Sequence, residues 1–300
     1  MIRLRTLPVQ VCTCSSSFFL RLHLLLPHSS CDVRPRVSIL ILNYRSPRDT
    51  VRCVHALRQQ TIIDDCEVIV IDNHSDDDSI GILRHQLGQI MPVRVVETPR
   101  NAGFGFGYNF GARFAQGAYL LINNPAKILP PDGIEQLVQH MEQDTSVGIL
   151  APALIHPDGT VRSSARAFPR PLDLVLKRTC LQYFFPRRVR QYELGGQCPS
   201  GEVDWVVGGC FLIRSSLFKE LEGFDTGNFF LFFEDMDLCR RCWQAGKRVV
   251  YTRSVTGSDR KRRLSEGGFL ALMCTNIGRA HIRSAWKYFW KWKKMPNPRF

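Results

Sequence analysis

Apolar residues in this chain fall into short, nearly unbroken runs separated by stretches with helical spacing. Val37-Ser-Ile-Leu-Ile-Leu42 is the first run, and it stops at Asn43-Tyr44. Val51, Val54 and Leu57 then recur at a helical interval. Glu67-Val-Ile-Val-Ile-Asp72 is a second run, closed by the polar cluster Asp72-Asn73-His74-Ser75-Asp76. A helix follows, and Val93–Glu97 predicts a third strand. The pattern continues with a helix over Gly105–Gln116, a strand over Ala118–Asn123, and a helix marked by Ile134, Leu137, Val138 and Met141. Runs apolar at every position are those of strands covered on both faces, so the alternation predicts an open, mostly parallel sheet with helices on both sides. Ligands of such sheets bind beyond the carboxyl ends of the strands. Asn43, Asp72-Asn73 and Asn123-Asn124 occupy those ends.

Beyond residue 160 the pattern loosens. Residues 162–190 hold eight Arg/Lys against Asp173, with Pro169, Pro171 and Pro186, and read as an irregular excursion. Strands are expected at Glu202–Val207 and Cys210–Arg214, then a helix over Glu234–Ala245 with Met236, Cys239 and Trp243 on one face. Near the end, Trp286, Phe289 and Trp290 share a helical face, Tyr288 and Trp292 flank it, and Lys287, Lys291 and Lys294 form a separate stripe. Such a helix suits the surface of an anionic bilayer. A helix packed on the domain with its lysines in water has the same pattern.

Composition adds where these ends differ from the middle. The chain has 300 residues and a net charge of +13. Residues 1–36 carry +4 and residues 253–300 carry +10, so 37–252 is at −1. Charge this unevenly placed argues against a nucleic-acid-binding surface and for basic ends around a near-neutral body. The apolar runs near the N-terminus are broken by Arg21 and are too short for a transmembrane helix or an h-region. The expected division is a poorly structured basic leader over 1–35, a folded domain over 36–252 and a basic aromatic helical segment over 253–300. The eleven cysteines include the close pair Cys239/Cys242, which reads as two small apolar residues on a helix. No second pair stands at zinc-ribbon spacing, and reduced thiols in a cytosolic protein fit best.

Three stretches could carry chemistry. Asn101-Ala-Gly-Phe-Gly-Phe-Gly-Tyr-Asn109 opens a helix after a strand, but has neither dinucleotide nor P-loop spacing. It suits a phosphate at a helix start or a plain loop-to-helix turn. Asp72-Asn73 could hydrogen-bond a nucleoside or close a turn. Glu234-Asp235, behind the apolar Phe229–Phe233, could serve the helix dipole or supply a base with a raised pKa.

Taken in order, these pieces resemble the family 2 inverting glycosyltransferases, and within them a rhamnosyltransferase-like group. The matching segments are VSILILNYRS at 37–46, EVIVIDNHSDD at 67–77, RNAGFGFGYNFGA at 100–112 and GAYLLINNPAKILPPDG at 117–133. Further on come VGILAPALIHPDGTVRSSARAFPRP at 147–171, VDWVVGGCFLIR at 203–214 and GFDTGNFFLFFEDMDLCRRCWQAGKRVVYT at 223–252. The resemblance implies a GT-A nucleotide-sugar-binding fold, with Asn43, Tyr44, Asp72, Asn73, Ser75, Arg100, Asn101, Gly103, Asn109 and Asn124 around the donor. It implies Asp235 as general base beside Glu234, and Trp205, Gly208 and Gly209 on the acceptor side. The implied reaction moves a sugar, with dTDP-rhamnose as one candidate donor, to a saccharide or lipid-linked glycan with inversion, at the cytoplasmic face of an anionic membrane. The family uses Mg²⁺ or Mn²⁺ on an Asn-Pro-Asp motif, where this chain has Asn124-Pro125-Ala126. It also tends to place a His after the strand that ends near Thr252, where this chain reads Val255-Thr-Gly-Ser258. An impaired family member that binds a nucleotide sugar or glycan, or acts as a membrane scaffold, is the alternative, and Lys127 or the basic run 260–263 could stand in for the ion.

Overall fold

The computed structural model describes residues 34–194, 200–260 and 275–299. Most of the leader expected over 1–35, and positions 261–263 of the basic run, lie outside the described residues.

The strands are β1 Val37–Asn43, β2 Cys66–Asp72, β3 Arg94–Glu97, β4 Tyr119–Asn123, β5 Lys127–Ile128, β6 Val147–Ile155, β7 Ala165–Arg166, β8 Gly201–Glu202, β9 Trp205–Val206, β10 Cys210–Arg214 and β11 Arg248–Asp259. The α-helices are α1 Pro47–Leu57, α2 Ser79–Leu87, α3 Phe104–Ala112, α4 Gly133–Gln143, α5 Pro171–Arg178, α6 Pro186–Tyr192, α7 Ser215–Glu220, α8 Glu234–Gln244 and α9 Asn276–Trp292. The main sheet runs β3-β2-β1-β4-β10-β6-β11-β5, with β8 also on β11, and β7 pairs with β9 apart from it. β1 to β4, β6 and β11 point one way. β10 runs against them between β4 and β6, and β5 and β8 run against β11.

The sheet is largely parallel and open, as the apolar runs predict, because both faces are covered. Leu40, Leu42, Ile69 and Ile71 point into one core with Tyr108 of α3 and Met236, Leu238 and Cys239 of α8. Ile39, Ile41, Val68 and Val70 point into the other, against Val54 of α1, Leu83 of α2 and Leu137 of α4. α3 lies close on the first face because it is built on glycine: a Cβ on Gly107 would sit 2.3 Å from Leu42 Cδ1, and one on Gly111 would sit 2.5 Å from Ile71 Cγ1. The ligand contact that the sequence suggests for this glycine run is therefore taken up, at these two positions, by helix-on-sheet packing.

Two regions differ from the sequence reading. The 162–190 segment is not irregular throughout: it contains β7, α5 and α6, and its charges divide between water and the interior. The strand expected at Glu202–Val207 is two short pieces, because β8 pairs with β11 whereas β9 pairs with β7. Cys53, Cys66, Cys210, Cys239 and Cys242 are free thiols. Burial raises the thiols of Cys53 and Cys210 to about 12, leaving them protonated and inert.

The terminal helix α9 packs on the body through the flanking Tyr288 and Trp292. Tyr288 and Trp292 are buried in the core, whereas Trp286 and Trp290 stack on each other at the surface. Lys291 leaves the lysine stripe and is half-buried between Asp225 and Asp237, at 2.7 Å from each. Trp292 Nε1 donates to the buried Asp237 at 3.0 Å. Two carboxylates under the helix draw Lys291 inward and set its rotation.

Candidate functional site

The carboxyl ends of β1 and β2 are joined by polar side chains. Asn43 Nδ2 donates to Asp72 Oδ1 at 2.6 Å, and Thr50 Oγ1 donates to Asn43 Oδ1 at 2.9 Å. The N–H and the Oγ of Ser75 each donate to Asp72 at 2.8 Å. Asn43 and Asp72 are wholly buried, and these bonds satisfy them from within the protein. Asn73 Nδ2 reaches the next loop, donating to Asn101 Oδ1 at 3.1 Å and to the Gly103 carbonyl at 3.2 Å.

A cavity of about 580 Å³ opens over these ends. Tyr44, Asn73, Asn101, Gly103, Asn124, Trp205, Gly208, Gly209, Glu234 and Asp235 line it. The remaining residues expected around the donor stand back from it. Asn43, Asp72 and Ser75 form the network behind the wall. Arg100 is exposed over the Phe106 ring. Asn109 faces elsewhere: its Nδ2 donates to the Phe224 carbonyl at 2.8 Å, and its Oδ1 accepts the Phe224 N–H at 2.9 Å. Its amide clamps the chain ahead of the Phe229–Phe233 loop.

Gly103 has φ of 107° at the start of α3, and a Cβ there would lie 2.0 Å from the Phe230 carbonyl oxygen. Only glycine fits, which brings the Phe230 loop against the start of α3. That loop then turns through Phe232 and Phe233, both left-handed at φ of 69° and 70°. Two bulky residues in that conformation are strained, and the turn they make delivers Glu234 and Asp235 to the cavity wall.

Asp235 Oδ2 accepts the Gly208 N–H at 2.7 Å, and Oδ1 accepts the Met236 N–H at 2.8 Å. Burial raises its pKa, opposed by those two donors and by the positive charge of Arg166. Glu234 is pushed up further, by burial and then by the charge of Asp235, and its Oε2 has no hydrogen-bond partner among the described residues. With like charges adjacent and buried, the pair shares protonation, and Asp235, which holds the donors, keeps the negative charge.

Three cationic residues complete the wall, and of these sequence reading singled out only Lys127. Lys127, Arg162 and Arg166 line the cavity and are all buried. Lys127 pairs with one oxygen of the buried Asp259 and Arg162 with the other. Arg166 lies over the rings of Tyr192 and Trp205, 5.6 Å from each centroid, and its Nε has no partner among the described residues. The signal was present in the 162–171 part of the family-like segment, but an Arg in a proline-rich basic stretch reads by default as solvated. His281 of α9 also lines the cavity, against Phe232 and Phe233.

The donor set does not fit a divalent cation. Ala126 offers a buried methyl where a carboxylate would be needed, and Asn124 Oδ1 accepts the Ala126 N–H at 3.1 Å. Among the described residues, no three His, Cys, Asp or Glu side chains converge. Hard cations need several oxygen ligands, and this wall supplies cationic nitrogen.

Comparison with known proteins identifies the family and the fold. The model of the family described as glycosyl transferase family 2 matches residues 38–222. An N-acetylglucosaminyl-diphospho-decaprenol L-rhamnosyltransferase of Mycobacterium tuberculosis is 30% identical over 201 residues, 62% of this chain and 64% of that protein. The match therefore spans a little under two thirds of that relative. Rhamnosyltransferase WbbL of Escherichia coli K12 is 24% identical over 209 residues, 66% of this chain and 74% of that one. Among solved structures, a mannosyltransferase from Pyrobaculum calidifontis in complex with GDP-Man and Mn²⁺ superposes with a TM-score of 0.54 at 18% identity, over 77% of this chain and 59% of that one. GalNAc-T7 with UDP, GalNAc and Mn²⁺ gives a TM-score of 0.58 at 18% identity, over 77% and 45% of the two chains. These are GT-A glycosyltransferases, and the likeness extends to the fold.

Proposed function

The chain belongs to glycosyl transferase family 2, and on that premise we propose that it transfers L-rhamnose from a nucleotide-diphospho-sugar to a lipid-linked saccharide with inversion. The names of its mycobacterial and Escherichia coli relatives support the sugar, and the mycobacterial name supports a lipid diphosphate acceptor. The observation that carries the mechanism is Asp235, a carboxylate held by two backbone donors on the wall of a cavity large enough for a nucleotide sugar.

In this reading the Asn73, Asn101 and Gly103 side of the cavity takes the donor, while Trp205, Gly208 and Gly209 bound the acceptor. Asp235 accepts the proton of the acceptor hydroxyl as that oxygen forms its bond to the anomeric carbon. The bond from that carbon to the diphosphate oxygen breaks on the opposite face, and the nucleoside diphosphate leaves with the electron pair. Attack opposite to departure inverts the configuration. Burial in the cavity wall holds the pKa of the base up.

Replacing Asp235 by Asn preserves shape and removes the base. With dTDP-rhamnose and a polyprenyl-diphospho-N-acetylglucosamine acceptor, turnover should fall by roughly 10²- to 10⁴-fold in a protein that keeps its fold by circular dichroism. Undiminished turnover would overturn the assignment.

The reading also places the protein at the cytoplasmic side of an anionic membrane, where such an acceptor resides. What supports this is the apolar surface beside the cavity. α6 and α9 both contribute to the wall, through Tyr192 and through Ile277 and His281. Tyr183, Phe184 and Phe185 before α6 are 78, 75 and 53% exposed, and Trp286 and Trp290 of α9 are 63 and 59% exposed. The exposed Arg187, Arg190, Lys293 and Lys294 adjoin them. Among the described residues no helix is long and apolar enough to cross a membrane.

A further inference from the structure

Arg166 is a buried cation on the cavity wall to which the mechanism above gives no task. It stands in β7, opposite Trp205 of β9 in the two-stranded sheet, and is 7% exposed. Its guanidinium lies between the Trp205 ring and the Tyr192 ring of α6. Its hydrogen bonds are long and go to neutral oxygens. Nη1 donates to the Tyr192 hydroxyl at 3.4 Å and Nη2 to the Ser163 carbonyl at 3.5 Å. Nε has no partner among the described residues. A guanidinium taken out of water on these terms is costly, and an anion in the cavity would relieve the cost.

The position of Arg166 says which anion. Trp205 is followed by Val206, Val207 and Gly208, and the Gly208 N–H holds Asp235. The positive charge of Arg166 also acts on Asp235. In an in-line displacement the base and the acceptor share one face of the anomeric carbon, and the leaving diphosphate is on the other. A cation that stands with the base is therefore on the acceptor's side. The far flank of Arg166 is Tyr192 of α6, and ahead of α6 come the exposed Tyr183, Phe184 and Phe185. From Asp235 outward the order is carboxylate, aromatic ring, cation and apolar edge. A lipid-linked saccharide has the matching order of hydroxyl, sugar ring, diphosphate and hydrocarbon.

We propose that Arg166 binds the diphosphate of the acceptor, and thereby selects acceptors whose sugar is joined to its lipid through a diphosphate. This rests on the transfer to a lipid-linked saccharide argued above. The planar fork of a guanidinium matches two phosphate oxygens, which an ammonium does not. Two flanking rings hold the fork in one plane, so little freedom is lost when the diphosphate arrives.

The test is transfer by the full chain to N-acetylglucosamine on a farnesyl chain, joined through a diphosphate in one acceptor and through a plain glycosidic bond in the other. The unaltered protein should favour the diphosphate acceptor in kcat/KM by about 10- to 100-fold, the value of charge-assisted hydrogen bonds. Arg166→Met should lose most of that preference, with KM rising more for the diphosphate acceptor than for dTDP-rhamnose. Arg166→Lys, which keeps the charge without the fork, should recover part of it. Equal use of the two acceptors by the unaltered protein, or a preference kept in Arg166→Met, would overturn the proposal and leave the glycosyltransferase reading standing. A rise in KM confined to the donor would overturn it as well, and would assign Arg166 to the donor's diphosphate. Transfer to neither acceptor from dTDP-, UDP- or GDP-linked sugars would overturn both readings. The comparison of acceptors uses the unaltered protein, so equal use decides the matter even where a variant fails to fold.

Discussion

Asp235 and Glu234 show how far neighbouring atoms decide the chemistry of a residue. Both are acids at the start of a helix, and in water both would ionise near pH 4. Here burial raises the two pKa values, and the Gly208 and Met236 N–H groups assign the charge to Asp235. A base must be deprotonated to act, so activity is present above the raised pKa and is lost as pH falls through it. We expect the acid limb of kcat/KM to have its midpoint above 3.8, the ordinary aspartate value. A midpoint at or below 3.8 would show that another group limits the rate. Stability has the opposite dependence: the folded pair binds protons that the unfolded one releases, so its burial costs stability at neutral pH and the cost is relieved on acidification. The sequence identified Glu234-Asp235 as a candidate, but its place at a helix start by itself favoured the helix-dipole reading over the base. The structure adds the Gly208 N–H, which reaches Asp235 from 27 positions away.

At the scale of elements, α9 is the clearest case of a period that spacing reveals and a docking face that it leaves open. Spacing establishes that Trp286, Phe289 and Trp290 share one side and that Tyr288 and Trp292 lie beside it. It does not say which side meets the protein, because aromatics serve both a core and an interface. Asp225 and Asp237 decide it by taking Lys291. Trp292 lies over Arg240 at 4.7 Å and donates to Asp237. Truncating Trp292 to Ala should cost about 3–5 kcal/mol, seen as a fall in melting temperature on the order of 10 °C. The same truncation of the exposed Trp286 should change stability by less than about 0.5 kcal/mol. Equal effects at the two sites would mean that the helix is docked differently. The early strands were legible for a related reason: β1, β2 and β4 are apolar at nearly every position, and only a doubly covered strand uses that pattern. The antiparallel placement of β10 was not legible, since its side chains would be as buried in either direction.

For the whole molecule, the charge of +13 acquires two separate uses once its location is known. Part of it is turned inward, as Lys127, Arg162 and Arg166 on the cavity wall. Part remains outside, next to the exposed aromatics of the 183–185 segment and α9. The outward part should bind vesicles containing phosphatidylglycerol at low salt and not vesicles of phosphatidylcholine alone, measured by sedimentation. Phe184→Glu with Trp290→Glu should abolish that binding while leaving the fold intact. Failure of the unaltered protein to sediment would end the membrane reading. The sequence by itself determined the layered α/β architecture, the family, and the polar strand ends over which the cavity opens, because these follow from local periodicity and from motifs contiguous in the chain. Only the tertiary structure decided which of the expected donor-site residues reach the cavity, why Asn109 and Asp72 do not, and which arginines turn inward. Those outcomes depend on pairings between residues up to 132 positions apart, as between Lys127 and Asp259. A side chain's orientation is set by the partner that satisfies it, and spacing along the chain carries no record of that partner.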